Sequence, residues 1–356
     1  MVFLATCLEP KLTCFAFRSA VLGCKLPQKQ LFDLLEGVAS GKVGMDCSVV
    51  PLRQPGLFLI STTDFFYPSV DDPYFQGQIG CANVLSDLYS FGVPECDNML
   101  MILGLSREMG ESERMIVSKE MLRGFNSLAS KAGTEVTGGQ TVLNPWPIIG
   151  GVAMSVCSAG EFVLPVNAKV GDLVVLTKPL GTQLAVNAHQ WLKTNPQRYD
   201  TIKHFFSSED EVVRLYHHAM VSMARLNKTA AHLMRRFNAH AATDITGFGI
   251  LGHANNLASN QSEALDIEIR TFPTIKGIRE IATIATGFKF NEGLSAETSG
   301  GLFICLPPDQ AQPFIDEIQR IDGCPAWIVA ECVPRKGEKN VARLAQNVTI
   351  IDVEAP

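Results

Sequence analysis

The alternation of hydrophobic and polar residues predicts strands and helices in turn. Runs rich in β-branched and aromatic residues predict strands at 57–66, 148–157 and 172–180. Between the first two strands, apolar residues at helical spacing predict a helix that begins near Ser112 and ends at Gly133. The predicted buried positions of this helix are Met115, Leu122, Phe125, Ala129 and Ala132.

A second long helix is predicted from Ser208, because Glu211 follows three residues later as in a capping box. Its predicted buried positions are Val213, Tyr216, Met220, Met223, Ala230, Met234 and Phe237. The segment 158–172 has no sustained period and contains proline and glycine, so it is the candidate linker between domains.

The expected organisation is therefore two α/β domains behind a short N-terminal segment. The domains are expected at 30–157 and 170–350, and residues 1–29 form the segment that contains Cys24 and Lys25. A length of 356 residues agrees with two domains of ordinary size.

Composition narrows the function classes. The net charge is −6 and the basic residues are scattered, which argues against a basic nucleic-acid-binding face but leaves room for a small anionic ligand. The ten cysteines include no CxxC pair, the first residues lack a signal-peptide pattern, and no apolar run is long enough to span a membrane. We expect a cytoplasmic protein with reduced thiols and no membrane partner.

Four aspartates stand beside apolar runs, where α/β proteins often place ligand-binding groups. They are Asp46, Asp64, Asp87 and Asp244. Converging carboxylates would repel one another without a cation, and Mg²⁺ commonly bridges carboxylates to phosphates. The alternative is that each aspartate caps a helix or closes a turn.

Two glycine-rich stretches, 136–146 and 243–256, provide backbone that an anion can approach. The second contains a formal GxGxxG, with Glu268 about twenty residues further on, as in dinucleotide-binding proteins. However, Asp244 would point a negative charge at a pyrophosphate there, which favours a metal–phosphate cluster over NAD. No GxxxxGK[ST] P-loop occurs.

Seven motifs in order identify a family. GMDCSVVPL, STTDFFYPSVDDPY, CANVLSDLYSFGVPECDNML, VTGGQTVLNPW, TKPLGTQ, AHAATDITGFGILGHA and ETSGGLFICLP closely resemble selenophosphate synthetase, also called selenide, water dikinase. The similarity runs from about residue 12 to residue 335 and is strongest to the animal forms.

The resemblance implies a fold, a reaction and partners. The fold is the α/β fold of the aminoimidazole ribonucleotide synthetase superfamily, whose N-terminal domain contributes to a barrel shared across a homodimer. The reaction converts ATP, selenide and water to selenophosphate, AMP and phosphate with Mg²⁺, and several members also need K⁺. A heteromer with a paralogue is the alternative assembly.

The resemblance also implies site residues. Mg²⁺ is assigned to Asp46, Asp87 and Asp244. The implied ATP contacts are Lys25, Gly44, Met45, Asp46, Asp64, Asp87, Gly138, Gly139, Gln140 and Thr141. Lys25 corresponds to the lysine near the reacting phosphates, which agrees with the general demand of phosphoryl transfer for positioning and charge neutralisation.

The chain departs from the family at two adjacent positions. Where active members have glycine and then cysteine or selenocysteine, this sequence has Val21 and Leu22, followed by Gly23, Cys24 and Lys25. Leucine supplies no nucleophile. Two interpretations stay open. The first is a working synthetase that tolerates Leu22, and Cys24, activated by Lys25, is a candidate to replace the missing group. The second is an ATP- and Mg²⁺-binding paralogue with a role in redox or cofactor homeostasis.

Overall fold

The computed structural model describes residues 45–354, together with Gln30 and Leu34. A first, five-stranded sheet has the order β1-β2-β5-β3-β4. Its strands are β1 (Ser48–Pro51), β2 (Leu57–Phe66), β3 (Asn98–Ser106), β4 (Val136–Asn144) and β5 (Ile148–Ser158). The predicted strands at 57–66 and 148–157 are confirmed as β2 and β5.

Two helices cover one face of this sheet: α1 (Pro73–Ser90) and α2 (Glu111–Ala132). The helix predicted from Ser112 is α2, and Gly133 ends it in the left-handed conformation. Two predicted buried positions are wrong, because Met115 and Leu122 are exposed. The side that packs inward instead carries Met121, Phe125 and Leu128, since this is the side that faces α1.

The crossing of α1 and α2 depends on glycines. A Cβ on Gly77 would lie 2.1 Å from the Met121 carbonyl oxygen, and one on Gly124 would lie 1.9 Å from the Tyr74 carbonyl oxygen. The two backbones therefore touch where the helices cross, and no side chain fits between them.

We expect Gly124→Ala to destabilise the protein by about 3 kcal/mol, because overpacking at backbone contact forces the helices apart. Urea unfolding measures the change. The matched control is Gly287→Ala, where a Cβ would meet no atom within 4 Å; it should stay within about 0.5 kcal/mol of the unmodified protein. Equal stability of the two variants would contradict the close crossing.

A second, six-stranded sheet has the order β11-β8-β10-β6-β9-β7. Its strands are β6 (Leu173–Leu176), β7 (Ala241–Asp244), β8 (Leu265–Ile275), β9 (Leu302–Leu306), β10 (Trp327–Pro334) and β11 (Ala342–Val353). The strand predicted at 172–180 is thus confirmed only in its first part. The segment between β5 and β6, the predicted linker, consists mainly of turns and irregular backbone.

Seven helices accompany this sheet within the described part of the chain. They are α3 (Thr182–Thr194), α4 (Pro196–Ile202), α5 (Glu209–Ala224), α6 (Lys228–Arg236), α7 (Gly249–Ser259), α8 (Ile278–Ile284) and α9 (Pro308–Asp322), with short 3₁₀ turns at Lys203–Phe205 and Thr286–Phe288. Nothing among the described helices is long and apolar enough to cross a membrane.

The single long helix predicted from Ser208 is wrong, because the structure divides it into α5 and α6. Arg225 leaves the helical conformation with ψ 132°. The break at Asn227 is held by its own contacts, since its amide donates to the Gly300 carbonyl and to the Ser86 hydroxyl. The capping box is also incomplete: Ser208 makes no side-chain cap, and Glu211 accepts from the Ser207 backbone N–H.

Helix α1 lies between the two sheets and shares in both hydrophobic cores. Val84 and Leu85 pack in one cluster with Leu302 and Ile304 of β9, and Ile79 packs in a second cluster with Ala241 of β7. This placement matters for function, because any polar side chain on α1 near β7 lies at the junction of the two sheets.

Candidate active site

Three of the four candidate aspartates converge at this junction. Asp46 precedes β1, Asp87 lies on α1, and Asp244 is the last residue of β7. Carboxylate oxygens from the three side chains all lie within 4.8 Å of one another. Asp46 and Asp87 are half-buried, whereas Asp244 is 2% exposed. We call these three residues the aspartate cluster.

Of the four aspartates that stand beside apolar runs, only Asp244 is the last residue of a strand. Asp87 stands inside a helix and Asp64 stands within β2, two residues before its end. The sequence pattern placed them correctly beside apolar runs, but the run before Asp87 is a helix that is buried on nearly all sides.

Hydroxyl groups orient two members of the cluster. Thr62 donates to Asp87 Oδ2 at 2.5 Å. The Ser90 hydroxyl lies 3.3 Å from Asp46 Oδ2 and 2.7 Å from the Asp87 carbonyl oxygen. Thr62 is on β2 and Ser90 is on α1, so β2 and α1 together orient Asp87 and Asp46.

Asp64 lies beside the cluster and is held by an amide. Asn83 Nδ2 donates to Asp64 Oδ2 at 2.7 Å. Asn83, Asp87 and Ser90 are spaced by four and three residues, which puts all three on one face of α1. Sequence reasoning missed Thr62, Asn83 and Ser90; the helical spacing around Asp87 was the signal that could have found the last two.

The cluster's electrostatics suit a hard cation. Burial and then the three carboxylates raise the pKa of the neighbouring Cys47 thiol well above its ordinary value, so Cys47 stays a protonated core residue. Carboxylates this close repel one another, and a divalent cation removes the repulsion. All the donors are oxygens, which fits Mg²⁺.

The glycine-rich stretch at 138–141 lies far from the aspartate cluster of the same chain. Gly138, Gly139, Gln140 and Thr141 are exposed on β4, at an edge of the first sheet. Asp64 pairs with Gly151, Gly151 with Met101, and Met101 with Gly139. Three strand spacings therefore separate Gly139 from Asp64, about 14 Å.

The loop after Asp244 carries the GxGxxG and turns into α7, as its pattern predicts. The Phe248 N–H lies 3.3 Å from His253 Nε2, and the Glu297 N–H donates to the Thr246 carbonyl at 3.0 Å. The loop is thus tied at both sides, and Asp244 at its start is a member of the aspartate cluster.

The remaining candidates are placed as follows. Met45 is half-buried and packs against the hydrophobic core that contains Cys47. Val21, Leu22, Cys24, Lys25 and Gly44 lie outside the described residues.

Comparison with known proteins places this geometry in a family. Residues 44–157 match the N-terminal domain of AIR synthase related proteins, and residues 169–342 match the C-terminal domain. Selenide, water dikinase of Dictyostelium discoideum is 50% identical over 337 residues, covering 93% of this chain and 92% of the relative. The chain belongs to the selenide, water dikinase family. Selenide, water dikinase 2 of Homo sapiens is 48% identical, covering 93% of this chain and 82% of the relative.

Solved structures agree at the level of fold. Thiamine monophosphate kinase from Aquifex aeolicus has a TM-score of 0.63 at 18% identity, covering 92% of this chain and all of that one. Hydrogenase maturation protein HypE in complex with ATP has a TM-score of 0.61 at 14% identity, covering 93% and 96%. The predicted α/β fold of the aminoimidazole ribonucleotide synthetase type is confirmed.

Proposed function

We propose that this selenide, water dikinase family member uses ATP, selenide and water to form selenophosphate, AMP and phosphate. The observation that carries the proposal is the convergence of Asp46, Asp87 and Asp244 within 4.8 Å in a chain 50% identical to a named selenide, water dikinase. The test is incubation with ATP, Mg²⁺ and selenide, followed by phosphorus NMR. A selenophosphate signal supports the proposal. ATP turnover without a selenophosphate signal would contradict the proposed reaction.

Different residues would bind the metal ion and the nucleotide. The aspartate cluster would hold Mg²⁺, which neutralises the negative charge of the phosphates. Thr62 and Ser90 fix the directions in which Asp87 and Asp46 offer their oxygens. Asp64, oriented by Asn83, would meet the nucleotide beside the metal, and Lys25 would add a cation at the reacting phosphate. Gly138 to Thr141 remain proposed ATP contacts through their exposed backbone.

Leu22 favours a second candidate function. A chain without a thiol or selenol at this position could keep the nucleotide site and lose selenide handling. The alternative is therefore an ATP- and Mg²⁺-binding paralogue. The two functions differ in one observable, the formation of AMP that depends on selenide.

We also propose a homodimer, because one face of the first sheet is apolar and open. The pairing register puts Val50, Phe65, Val156 and Val142 on the same face, opposite the helices. Their exposed fractions run from 43% to 51%. Such a face and its free edge strand are a liability in a monomer, and a second copy closing a shared barrel would cover both.

Light scattering at micromolar concentration tests the homodimer. The unmodified chain should have twice its chain mass. Val156→Lys should shift it toward the monomer, because a charge in the covered face is costly. Val221→Lys is the matched control: Val221 is 47% exposed but lies on α5, outside this face. A monomeric unmodified chain, or equal dissociation of both variants, would count against the shared barrel.

A further inference from the structure

A buried lysine stands behind the site without belonging to any assigned function. Lys178 follows β6 and is 1% exposed. Its ammonium donates to two backbone carbonyls, Ser299 O at 2.7 Å and Arg225 O at 2.6 Å. Burial and then the charge of Arg225 lower the pKa of Lys178, while Asp244 acts in the opposite direction. A lysine side chain so fully removed from water is rare.

One of its two acceptors is a strained residue. Ser299 has φ 47°, a left-handed conformation that non-glycine residues seldom adopt. It is 1% exposed, and the segment around it is wedged between two loops. A Cβ on Gly300 would lie 2.1 Å from the Ile245 carbonyl oxygen, and one on Gly301 would lie 2.5 Å from the backbone nitrogen of Lys178. Strain of this kind persists where surrounding contacts enforce it, often at functional sites.

The other side of Ser299 points to the nucleotide site. Its backbone N–H donates to Asn83 Oδ1 at 3.1 Å, and Asn83 Nδ2 donates to Asp64 Oδ2 at 2.7 Å. A backbone N–H only donates, so it fixes which end of the Asn83 amide carries the oxygen. The NH₂ group of the Asn83 amide then faces Asp64. The orientation of Asp64 therefore depends on where the Ser299 peptide stands.

We propose that Lys178 is a positioning residue, which sets Asp64 for nucleotide binding through the Ser299 backbone and the Asn83 amide. The inference rests on the proposed function, since it assumes that Asp64 meets ATP. Lys178 holds the carbonyl of Ser299, the peptide geometry of Ser299 holds Asn83, and Asn83 holds Asp64. The route joins the second sheet to the first across their junction.

A double-mutant cycle tests the route, with ATP affinity measured by calorimetry in the presence of Mg²⁺. Lys178→Met keeps the bulk of the side chain and removes both hydrogen bonds. We expect Lys178→Met and Asn83→Ala each to raise the Kd about tenfold, as loss of a buried hydrogen bond to a charged group does. The double variant should stay within about twofold of either single variant, because the second change removes a link already broken.

The matched control is Lys228→Met. Lys228 also donates to a backbone carbonyl, that of Ala132 at 2.8 Å, but its other partner is Glu95, remote from this route. The Lys228→Met change should leave the Kd for ATP unchanged. If Lys178→Met fails to fold, Ser299→Thr replaces it in the cycle, since β-branching disfavours the left-handed conformation while the lysine stays in place.

Three outcomes separate the claims. A double variant weakened about a hundredfold, the product of two independent effects, would show that Lys178 does not act through Asn83 and would overturn the route. Unchanged affinity in Lys178→Met would overturn the route as well. Failure of the unmodified chain to bind ATP would overturn the proposed function itself, and the inference with it.

Discussion

Replacement of Asp244 by asparagine is expected to raise the Kd for ATP with Mg²⁺ about 100-fold, which corresponds to about 2.7 kcal/mol. Asparagine keeps the shape of the side chain and removes the charge. Asp244 is the most buried member of the aspartate cluster, so water has little access with which to replace its oxygen at a bound cation. Calorimetric titration with and without Mg²⁺ measures the loss, and only the Mg²⁺-dependent part should disappear.

The same change should have the opposite effect on the ligand-free protein. Removing one of three mutually repelling carboxylates reduces their electrostatic repulsion. Asp244→Asn is therefore expected to raise the free energy of unfolding by about 1 kcal/mol, as measured by urea unfolding. Asp316→Asn serves as control for both measurements, because Asp316 is exposed on α9 and accepts a hydrogen bond from Gln312 of the same helix. Equal affinity for ATP with and without Mg²⁺, or an unaffected Asp244→Asn, would contradict the metal-binding role.

Restoring a thiol at position 22 is expected to raise selenide-dependent AMP formation, on the order of 100-fold, the usual scale of a positioned proton-transfer or nucleophilic group. The change is Leu22→Cys in the unmodified chain, and Val21→Gly added to it should raise the rate further by freeing the backbone. The physical reason is that leucine neither binds selenide nor carries a proton to transfer. Selenide-dependent AMP release is the measurement.

Cys24→Ser discriminates between the two interpretations of the natural sequence. If Cys24 has taken over from the missing group, this change abolishes selenophosphate formation. If Cys24 is structural, the change is silent and the unmodified chain makes little selenophosphate. Robust synthesis by the unmodified chain that survives Cys24→Ser would mean that neither thiol is required, and Leu22→Cys would then bring no gain.

Local signals in the sequence predicted the parts of the fold that local physics decides. Gly133 ends α2 because a left-handed residue there suits glycine. The runs at 57–66 and 148–157 form β2 and β5, as their content of β-branched and aromatic residues predicts. The association of Asp46, Asp87 and Asp244 came from the family resemblance, and their closeness in space is now a structural observation.

Tertiary contacts decided the rest. The break between α5 and α6 has no strong local cause, since Asn227 is held there by Ser86 and Gly300 from distant parts of the chain. Met115 has the right helical spacing, but α1 covers a different side of α2. The role proposed for Lys178 rests on carbonyl partners that lie 47 and 121 residues away along the chain, which no local pattern indicates.

The most direct test of the central claim is anomalous diffraction from crystals grown with Mn²⁺ and a non-hydrolysable ATP analogue. Manganese occupies oxygen-rich magnesium sites and scatters strongly enough to be located. The account predicts an anomalous peak about 2.1 Å from a carboxylate oxygen of each of Asp46, Asp87 and Asp244, in contact with the nucleotide phosphates. Nucleotide bound elsewhere, with no peak among the three aspartates, would contradict it.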